Sequence, residues 1–446
     1  MSSLPAVLGG LHAPVTRRAY LSAGLSLMLL KFGMDAGLVL LATGQLLSPL
    51  AYLVPTFATR NVVFSALPTW ASVLLIAWTL PFAWVGASMS VRRARDAGLH
   101  GAVGLLFFLP FVNYLMMATL AAIPSRDLAP SALPLRGPDR GLAAALTGVA
   151  AGSLTGAVLA PVLVFGAGAY GMALFFGTPL VMGAITGLLY NLGGKRGALA
   201  TTGLGVLTVG ITSGLMLLVA FEGILCLAMA SPPAIILAAL GALLGRELAA
   251  IDRRALAAPM ALLPMLGFVE PQAVEPRLRV VQSEVLVDAS PEEVWPVVLA
   301  FPEIPEHDLA WYFRAGLAWP QRARIEGEGV GAIRHCEFST GPFVEPITVW
   351  DPPHRLGFSV TENPHPMHEL SPWGSIDAPH LDGFLTSHRG ELELVALPDG
   401  GTRLVGRTWY TVEMGPEGYW GLWTDAIIHR IHGRVLGHIA TVVEGA

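Results

Sequence analysis

Two kinds of hydrophobic pattern divide this chain. Residues 61–91, 97–125, 141–194, 197–221 and 223–245 each run on without Asp, Glu, Lys or Arg, apart from the ends. A spanning helix needs about 20 apolar residues, so 141–194 must hold two, broken at Gly168 to Gly171. Hydrophobic segments are therefore expected at 19–42, 66–89, 101–123, 141–167, 172–191, 198–221 and 232–245. From residue 279 the pattern changes to alternation, the period of half-buried strands. It predicts strands at 279–287, 321–328, 331–339, 342–350, 354–361, 387–397 and 401–413. Helices are expected at 291–300, near 303–314 and, much longer, at 417–443. Gly329, "STGP", "DPPH" and "PDGG" supply the turns.

One short stretch marks the change of solvent. In "VDASPEEVWPVV", Ser290 and Glu293 have the spacing of a capping box, and Pro291 stands at the first helical position. That is the opening of a globular α+β fold. Between it and the apolar half, residues 252–278 carry Pro259, Pro264, Pro271 and Pro276 and read as a linker.

Composition agrees with this division. Hydrophobic residues make up 53% of the 446 and charged ones 13%, about half the globular share. Residues 1–245 hold 12 Lys and Arg against 5 Asp and Glu, whereas residues 246–446 hold 15 against 27. The acidic half has no basic stripe, which argues against nucleic acid as a partner. Cys226 and Cys336 fall in different halves and imply no disulfide framework. Lys31 and Lys195 are the only lysines, which points to GC-rich coding and a bacterial source.

Charge also bears on topology. If every segment crosses once, the basic residues scatter over both sides, against the positive-inside rule. If 101–123 instead enters and leaves by one face, broken at Pro110, thirteen basic residues share a side. These are Arg17, Arg18, Arg92, Arg93, Arg95, Arg126, Arg136, Arg140, Lys195, Arg196, Arg246, Arg253 and Arg254. Only Arg60 stays opposite. The expectation is six spans plus a re-entrant element, in a bacterial inner membrane, with the N-terminus and the C-terminal domain both cytoplasmic. A plain seven-span arrangement is the alternative. "TRRAYLSAG" serves as a basic anchor before the first span, since no small-residue cleavage site follows it. Lys31 and Asp35, spaced i,i+4, suit an ion pair on one helix face, and Glu222 stands near the end of its span. A structural role and a relay role are both open to these groups.

"SVRRARDAGLHGAVGLLFFLPFVNYL" and "TRRAYL" resemble a bacterial inner-membrane family of unknown function whose members carry an Arg-Arg-Leu-His-Asp loop. Arg92, Arg93 and Asp96 match that loop, while Ala94 and Arg95 replace its Leu-His pair. The resemblance spans residues 14–125; residues 141–250 form about four further helices rich in Gly and Ala, as closely packed membrane helices are.

The order β-α-α-β-β-β-β-β-β-α describes an antiparallel sheet curled around a long C-terminal helix. "VDASPEEVW", "GVGAIRHCEFSTGPFVEPITVWDPPHRLGFSV" and "TWYTVEMGPEGYWGLWTDAIIHRIHGRVLGHI" resemble the SRPBCC superfamily, START-like helix-grip proteins, in the polyketide cyclase/dehydrase branch. The likeness covers 279–443. It implies a deep apolar cavity between sheet and helix. Fold alone does not select among carriers, cyclases and receptors. The fold class expected is an α-helical polytopic membrane domain followed by an α+β helix-grip domain.

Candidate residues follow from this. His335 and Glu337, two apart on one strand, share a face. Trp420, Thr424, Ile427 and Ile431 form one stripe of the closing helix, with Trp423, Asp425, His429 and His432 beside it. Trp295, His335, Glu337, Tyr410, Trp420, Trp423, Ile427 and Ile431 are the expected ligand contacts. His335, Glu337, Tyr410 and His429 are the acid–base candidates. The opposing reading is that Arg334, Asp425, His429 and Arg430 tie helix to sheet through structural hydrogen bonds. The loop "TENPHPMHELSPWGSIDAPHLDGFLTSH" offers His365, His368, His380, Asp377 and Asp382. It lacks a helix to fix metal geometry, and reads as a lid with Met367, Leu370, Trp373, Leu381 and Phe384 beneath. Cys336 points away from its neighbours' face, and no nucleophile elbow is present. No cofactor and no metal are called for. The expected role is a membrane-anchored binding module for a hydrophobic small molecule or lipid. A cyclase or dehydratase, and a module recruiting a cytoplasmic partner, are the alternatives.

Overall fold

A computed structural model describes residues 15–54, 67–99, 101–108, 112–125, 140–168, 170–249, 276–307 and 309–445. Arg60, Pro110, Arg126, Arg136, Arg253, Arg254 and nearly all of the Pro-rich linker lie outside the described residues. The chain forms two compact units. One comprises Met1–Val158, Thr178–Gly223 and Pro232–Met260; the other comprises Leu159–Gly177, Ile224–Ser231 and Ala261–Ala446.

The long apolar runs between residues 17 and 248 become helices, each of which satisfies its own backbone polar groups. These are α1 (Arg17–Thr43), α2 (Thr69–Asp96), α3 (Val112–Ala122), α4 (Arg140–Pro161), α5 (Thr178–Asn191), α6 (Ala198–Leu218) and α7 (Ile224–Leu248). Among the described residues, five helices are long and apolar enough to cross a membrane: 17–43, 141–166, 173–191, 198–218 and 224–248. Helix α7 starts eight residues before the segment expected at 232–245, because Pro232 and Pro233 lie inside it.

Backbone contact holds α5 to α7. A Cβ on Gly183 or Gly187 would lie 2.1 or 2.0 Å from the carbonyl oxygens of Ala238 and Ala242. Gly241 and Gly245 meet the carbonyls of Leu180 and Ala184 in the same way. Each helix thus presents a small-xxx-small pair to the other. Between α5 and α6, the Thr186 and Thr208 hydroxyls meet at 3.0 Å.

The stretch 101–123 is not one span. A 3-10 segment, Gly101–Phe108, folds back on α2, where a Cβ on Gly104 would strike the Val91 backbone at 2.2 Å. Helix α3 follows with 11 residues, too short to cross. Its last carbonyls return to the end of α2. Arg93, fully buried, donates to Leu120 O at 3.0 Å and to Ile123 O. Asp96 balances it at 2.5 Å and accepts from Ser125 Oγ at 2.6 Å. Arg17 adds a bond to Ala121 O at 2.8 Å. A cation at a helix C-terminus is favourable for its free carbonyls and its dipole. Arg93 and Asp96 of the Arg-Arg-Asp motif thereby tie the end of α3 to the end of α2. Lys31 and Asp35 form the expected i,i+4 pair at 2.5 Å, and Trp78 Nε1 also donates to Asp35.

The C-terminal fold is built on β1 (Arg279–Val287), β2 (Pro320–Glu326), β3 (Ile333–Phe338), β4 (Gly341–Asp351), β5 (Arg355–Ser359), β8 (Leu385–Ala396) and β9 (Thr402–Val412). They form one antiparallel sheet in the order β1-β9-β8-β5-β4-β3-β2. A separate hairpin, β6 (Glu369–Ser371) and β7 (Gly374–Ile376), lies in the expected lid. Helix α8 (Pro291–Leu299) carries the capping box, with Ser290 N donating to Glu293 Oε2 at 2.9 Å. Only Trp311–Arg314, α9, forms from the helix expected near 303–314, since Pro302 and Pro305 lack the amides a helix uses. The sheet wraps α10 (Glu417–Glu444), and Val294, Val298, Ile347, Leu356, Leu404 and Ile439 form the core between them. Trp295, expected at the ligand, packs here edge-on to Trp350 at 5.9 Å.

The glycine contacts make a direct test. Gly187→Ala should destabilise the protein in detergent by about 1–3 kcal/mol, the cost of overpacking. Gly203→Ala, with open space around it, should leave the melting temperature unchanged or raised. Scanning fluorimetry of the two variants measures the difference.

Candidate functional site

The space between sheet and α10 is a cavity of about 150 Å³. Its walls follow from strand alternation. On β3, Arg334, Cys336 and Phe338 point inward; Phe343 and Glu345 come from β4 and Phe358 from β5. Ile427, Ile428, Ile431 and His432 of α10 form the opposite wall, and Asn363 to Pro366 of the lid lie at one end. Gly390 and Gly406 leave the central strands bare. A Cβ at Gly390 would lie 2.4 Å from the Phe358 ring, so that ring occupies the place of a side chain.

Two polar groups interrupt this apolar lining. Arg334 and Glu345 face each other across the β3–β4 ladder and form an ion pair, with side chains 3% and 7% exposed. The guanidinium also donates to Leu299 O at 3.2 Å and lies 5.7 and 5.6 Å from the Phe301 and Phe358 ring centres. Burial pushes the Glu345 carboxyl above its usual range, and Arg334 opposes that shift without cancelling it. Cys336 is pushed up to about 12, chiefly by burial, which makes it an inert thiol.

The second group is His432. Its Nε2 lies 2.8 Å from Thr408 Oγ1 and its Nδ1 3.2 Å from Ser283 Oγ. Ser283 in turn meets His429 Nδ1 at 2.8 Å. Burial first, then His429, lowers the His432 pKa to about 4. At neutral pH it is an uncharged imidazole hydrogen-bonded to two hydroxyls.

The expected residues disperse. Ile427 and Ile431 line the cavity. His335 and Glu337 do not; they occupy the other face of β3, because Arg334 and Cys336 take the inward positions. Glu337 is held there by Arg322 and by Arg324 at 2.5 Å, which keep its carboxyl below the usual range, and His335 lies 3.9 Å from Glu326. Tyr410 is fully buried; it accepts from Arg279 Nε at 2.9 Å and donates to Asp425 at 2.5 Å. It ties β1, β9 and α10 together, and burial pushes its hydroxyl up. His429 is exposed. Trp420 is buried edge-on to Phe175 at 4.7 Å, and Trp423 is 37% exposed. The convergence of His335, Glu337, Tyr410 and His429 in one pocket does not occur.

Sequence reasoning passed over Arg334 and Glu345 as cavity residues, yet a signal was present. The two-residue turn Ser339-Thr340 sets Phe338 opposite Gly341, and counting back pairs 334 with 345. Opposite charges directly across a ladder mark a pair.

The lid is fastened within its own compact unit. Glu369, fully buried, accepts from the backbone amides of Leu225 at 3.2 Å and Cys226 at 2.8 Å, the first turn of α7. A carboxylate there meets free amides and the positive end of the helix dipole. His380 Nε2 lies 3.3 Å from Glu369, and Tyr170 packs against His380 and Phe384. Met367 and Leu381 join Phe313 and Leu317 in a cluster that includes Leu225 and Met229. Leu370 and Trp373, expected beneath the lid, are exposed instead. The lid histidines take separate partners: His365 lies 2.9 Å from Asp382 and 4.0 Å from Asp377, and His368 meets Ser339 O at 3.3 Å.

Residues 279–444 match the family described as polyketide cyclase / dehydrase and lipid transport. Residues 11–129 match a family described as a protein of unknown function. No curated protein matches the chain. Among solved structures, truncated norcoclaurine synthase from Thalictrum flavum is 18% identical over 38% of this chain and 96% of its own, with a TM-score of 0.26. The Zhui aromatase/cyclase from Streptomyces sp. R1128 is 17% identical over 38% of this chain and 94% of its own, at 0.25.

His432 generates a pH prediction. Its pKa is near 6.5 in an unfolded chain and about 4 in the folded one. Between these values the unfolded state binds more protons, so stability rises with pH and levels off above 6.5. Acidification through that window should remove about 2–3 kcal/mol through this group. Denaturation curves of His432→Gln should lack that component, and their difference from the parent curves isolates it.

Proposed function

We propose that the C-terminal fold is a membrane-anchored binding module for a small hydrophobic molecule of about one ring, carrying one polar group. The observation behind this reading is the cavity: apolar walls, one buried ion pair, and a neutral imidazole beside a threonine hydroxyl. Ligand sites are built this way, with a few placed polar groups in an apolar lining. Size narrows the ligand. An apolar cavity of about 150 Å³ accommodates benzene, so a diacyl lipid does not fit while the lid is in place. The family likeness to cyclases and lipid-transport proteins and the apolar helices support hydrophobic ligands and a membrane setting. The membrane is a bacterial cytoplasmic one in this reading, with the N-terminus and the basic helix ends on the cytoplasmic side.

Binding is favoured over cyclase chemistry. A general base works best with a pKa near the operating pH, and His432 at about 4 is a weak one. His335, Glu337, Tyr410 and His429 do not line the cavity.

Calorimetric titration of the full chain in nanodiscs with phenol and with toluene tests the proposal. Saturable binding of phenol is expected, and Ile431→Trp, which fills the cavity, should weaken it by about tenfold or more (about 1.4 kcal/mol). Arg334→Met alone should cost about 3–5 kcal/mol of stability by stranding Glu345. Arg334→Met with Glu345→Leu should restore stability while losing the preference for phenol over toluene. Failure of both probes to bind contradicts the reading.

A further inference from the structure

The first compact unit holds a cavity of its own. Helices α1, α2 and α3 and the 3-10 segment border a space of about 380 Å³, within the range of small-molecule sites, about 300–1,000 Å³. Its lining residues all lie between Tyr20 and Ala121, inside that unit. Helices α1 and α3 run antiparallel along it. Arg17, at the start of α1, donates to Ala121 O at the end of α3. From there the cavity extends to Lys31 on one helix and to Asn113 on the other. At 1.5 Å per residue, Asn113 lies about 12 Å back from Ala121, and Gly24 about 10 Å on from Arg17. These two residues therefore stand close to one level. Lys31 is about two turns further on, and side chains on a helix lean toward its start. Its ammonium thus reaches back toward the same level.

Two glycines shape this space in different ways. On α2, Gly86 yields its side-chain place to the Phe107 ring, which a Cβ would approach to 2.3 Å. On α1, Gly24 yields its place to nothing: among the described residues, a Cβ there would meet no atom within 4 Å. A mid-helix glycine destabilises a helix relative to alanine, and no packing offsets that at Gly24.

The polar groups on the cavity are incompletely paired. Lys31 donates to Asp35 Oδ2 at 2.5 Å, and Trp78 Nε1 donates to Asp35 Oδ1 at 2.8 Å. An ammonium has three donors, and among the described residues Asp35 is the one acceptor that Lys31 meets. Asn113 Oδ1 is buried with no partner among the described residues. Native structures seldom leave such a group unmet, and beside a helix of membrane length little water is at hand to meet it. Tyr20 and Ser90, by contrast, satisfy each other at 2.9 Å.

We propose that this cavity binds a neutral, single-chain amphiphile with a hydroxyl head. The hydroxyl donates to Asn113 Oδ1 and accepts from Lys31, and the chain lies over Gly24 against Met28, Met89, Phe107 and Met117. Charge selects the head. Lys31 and Asp35 already cancel, so a carboxylate would bring an uncompensated negative charge beside Asp35.

Photolabelling of the full chain in nanodiscs, with a dodecanol that carries a diazirine in its chain, tests the site. Saturable labelling of peptides spanning 20–31 and 113–121 is expected. Unlabelled dodecanol should displace the probe at about one-tenth the concentration that dodecane needs, the worth of one hydrogen bond. Laurate should do no better than dodecane. Gly24→Trp should abolish the labelling, and Gly24→Ala should keep it. Asn113→Leu separates a lost site from a folding defect. It removes the unpaired acceptor, so the ligand-free protein should melt no lower than the parent while dodecanol loses its advantage over dodecane. Labelling spread evenly over the apolar helices and unchanged in Gly24→Trp overturns the inference. So does equal displacement by dodecanol and dodecane in the parent chain. Neither outcome bears on phenol binding by the C-terminal cavity, so the two proposals fail separately.

Discussion

Removing an ionised side chain from water costs several kcal/mol unless a partner meets it, and this constraint organises both compact units. In the cavity wall, Arg334 is buried because Glu345 stands across the ladder and two aromatic rings flank the guanidinium. In the helical unit, Arg93 is buried because Asp96 and the open carbonyls of α3 receive it. Glu369 is buried because two amides of the first turn of α7 donate to it. Removing one member of such a set leaves a stranded charge, so these pairs fix where the cavity wall, the end of α3 and the lid are held.

The same constraint separates structural from functional polarity in the C-terminal fold. Tyr410, Arg279 and Asp425 satisfy one another and bind helix to sheet. Glu337 is consumed by two arginines on the outer face. The Arg334–Glu345 pair and His432 differ, since they line the cavity.

Much of the fold was legible in the sequence. Alternation located β1 to its terminal residues, and "SPEE" marked the start of α8 through its capping box. Pro302 and Pro305 shorten the helix that the apolar pattern predicts near 303–314. The site was less legible. "IRHCEF" alternates equally well with His335 or with Arg334 inward, and hydropathy favours hiding the histidine. Register decides, and only the turn at Ser339-Thr340 carries that information. Hardest of all were the lid contacts. Glu369 lies more than 140 residues from its amide partners, and no local pattern links a loop carboxylate to the start of a distant helix.

The cavity as a ring-sized ligand site is the central claim, and fluorine NMR of 4-fluorophenol with the full chain tests it most directly. A bound resonance, displaced by unlabelled phenol and absent in Ile431→Trp, is the result predicted. A spectrum that shows only free 4-fluorophenol at saturating protein would contradict it.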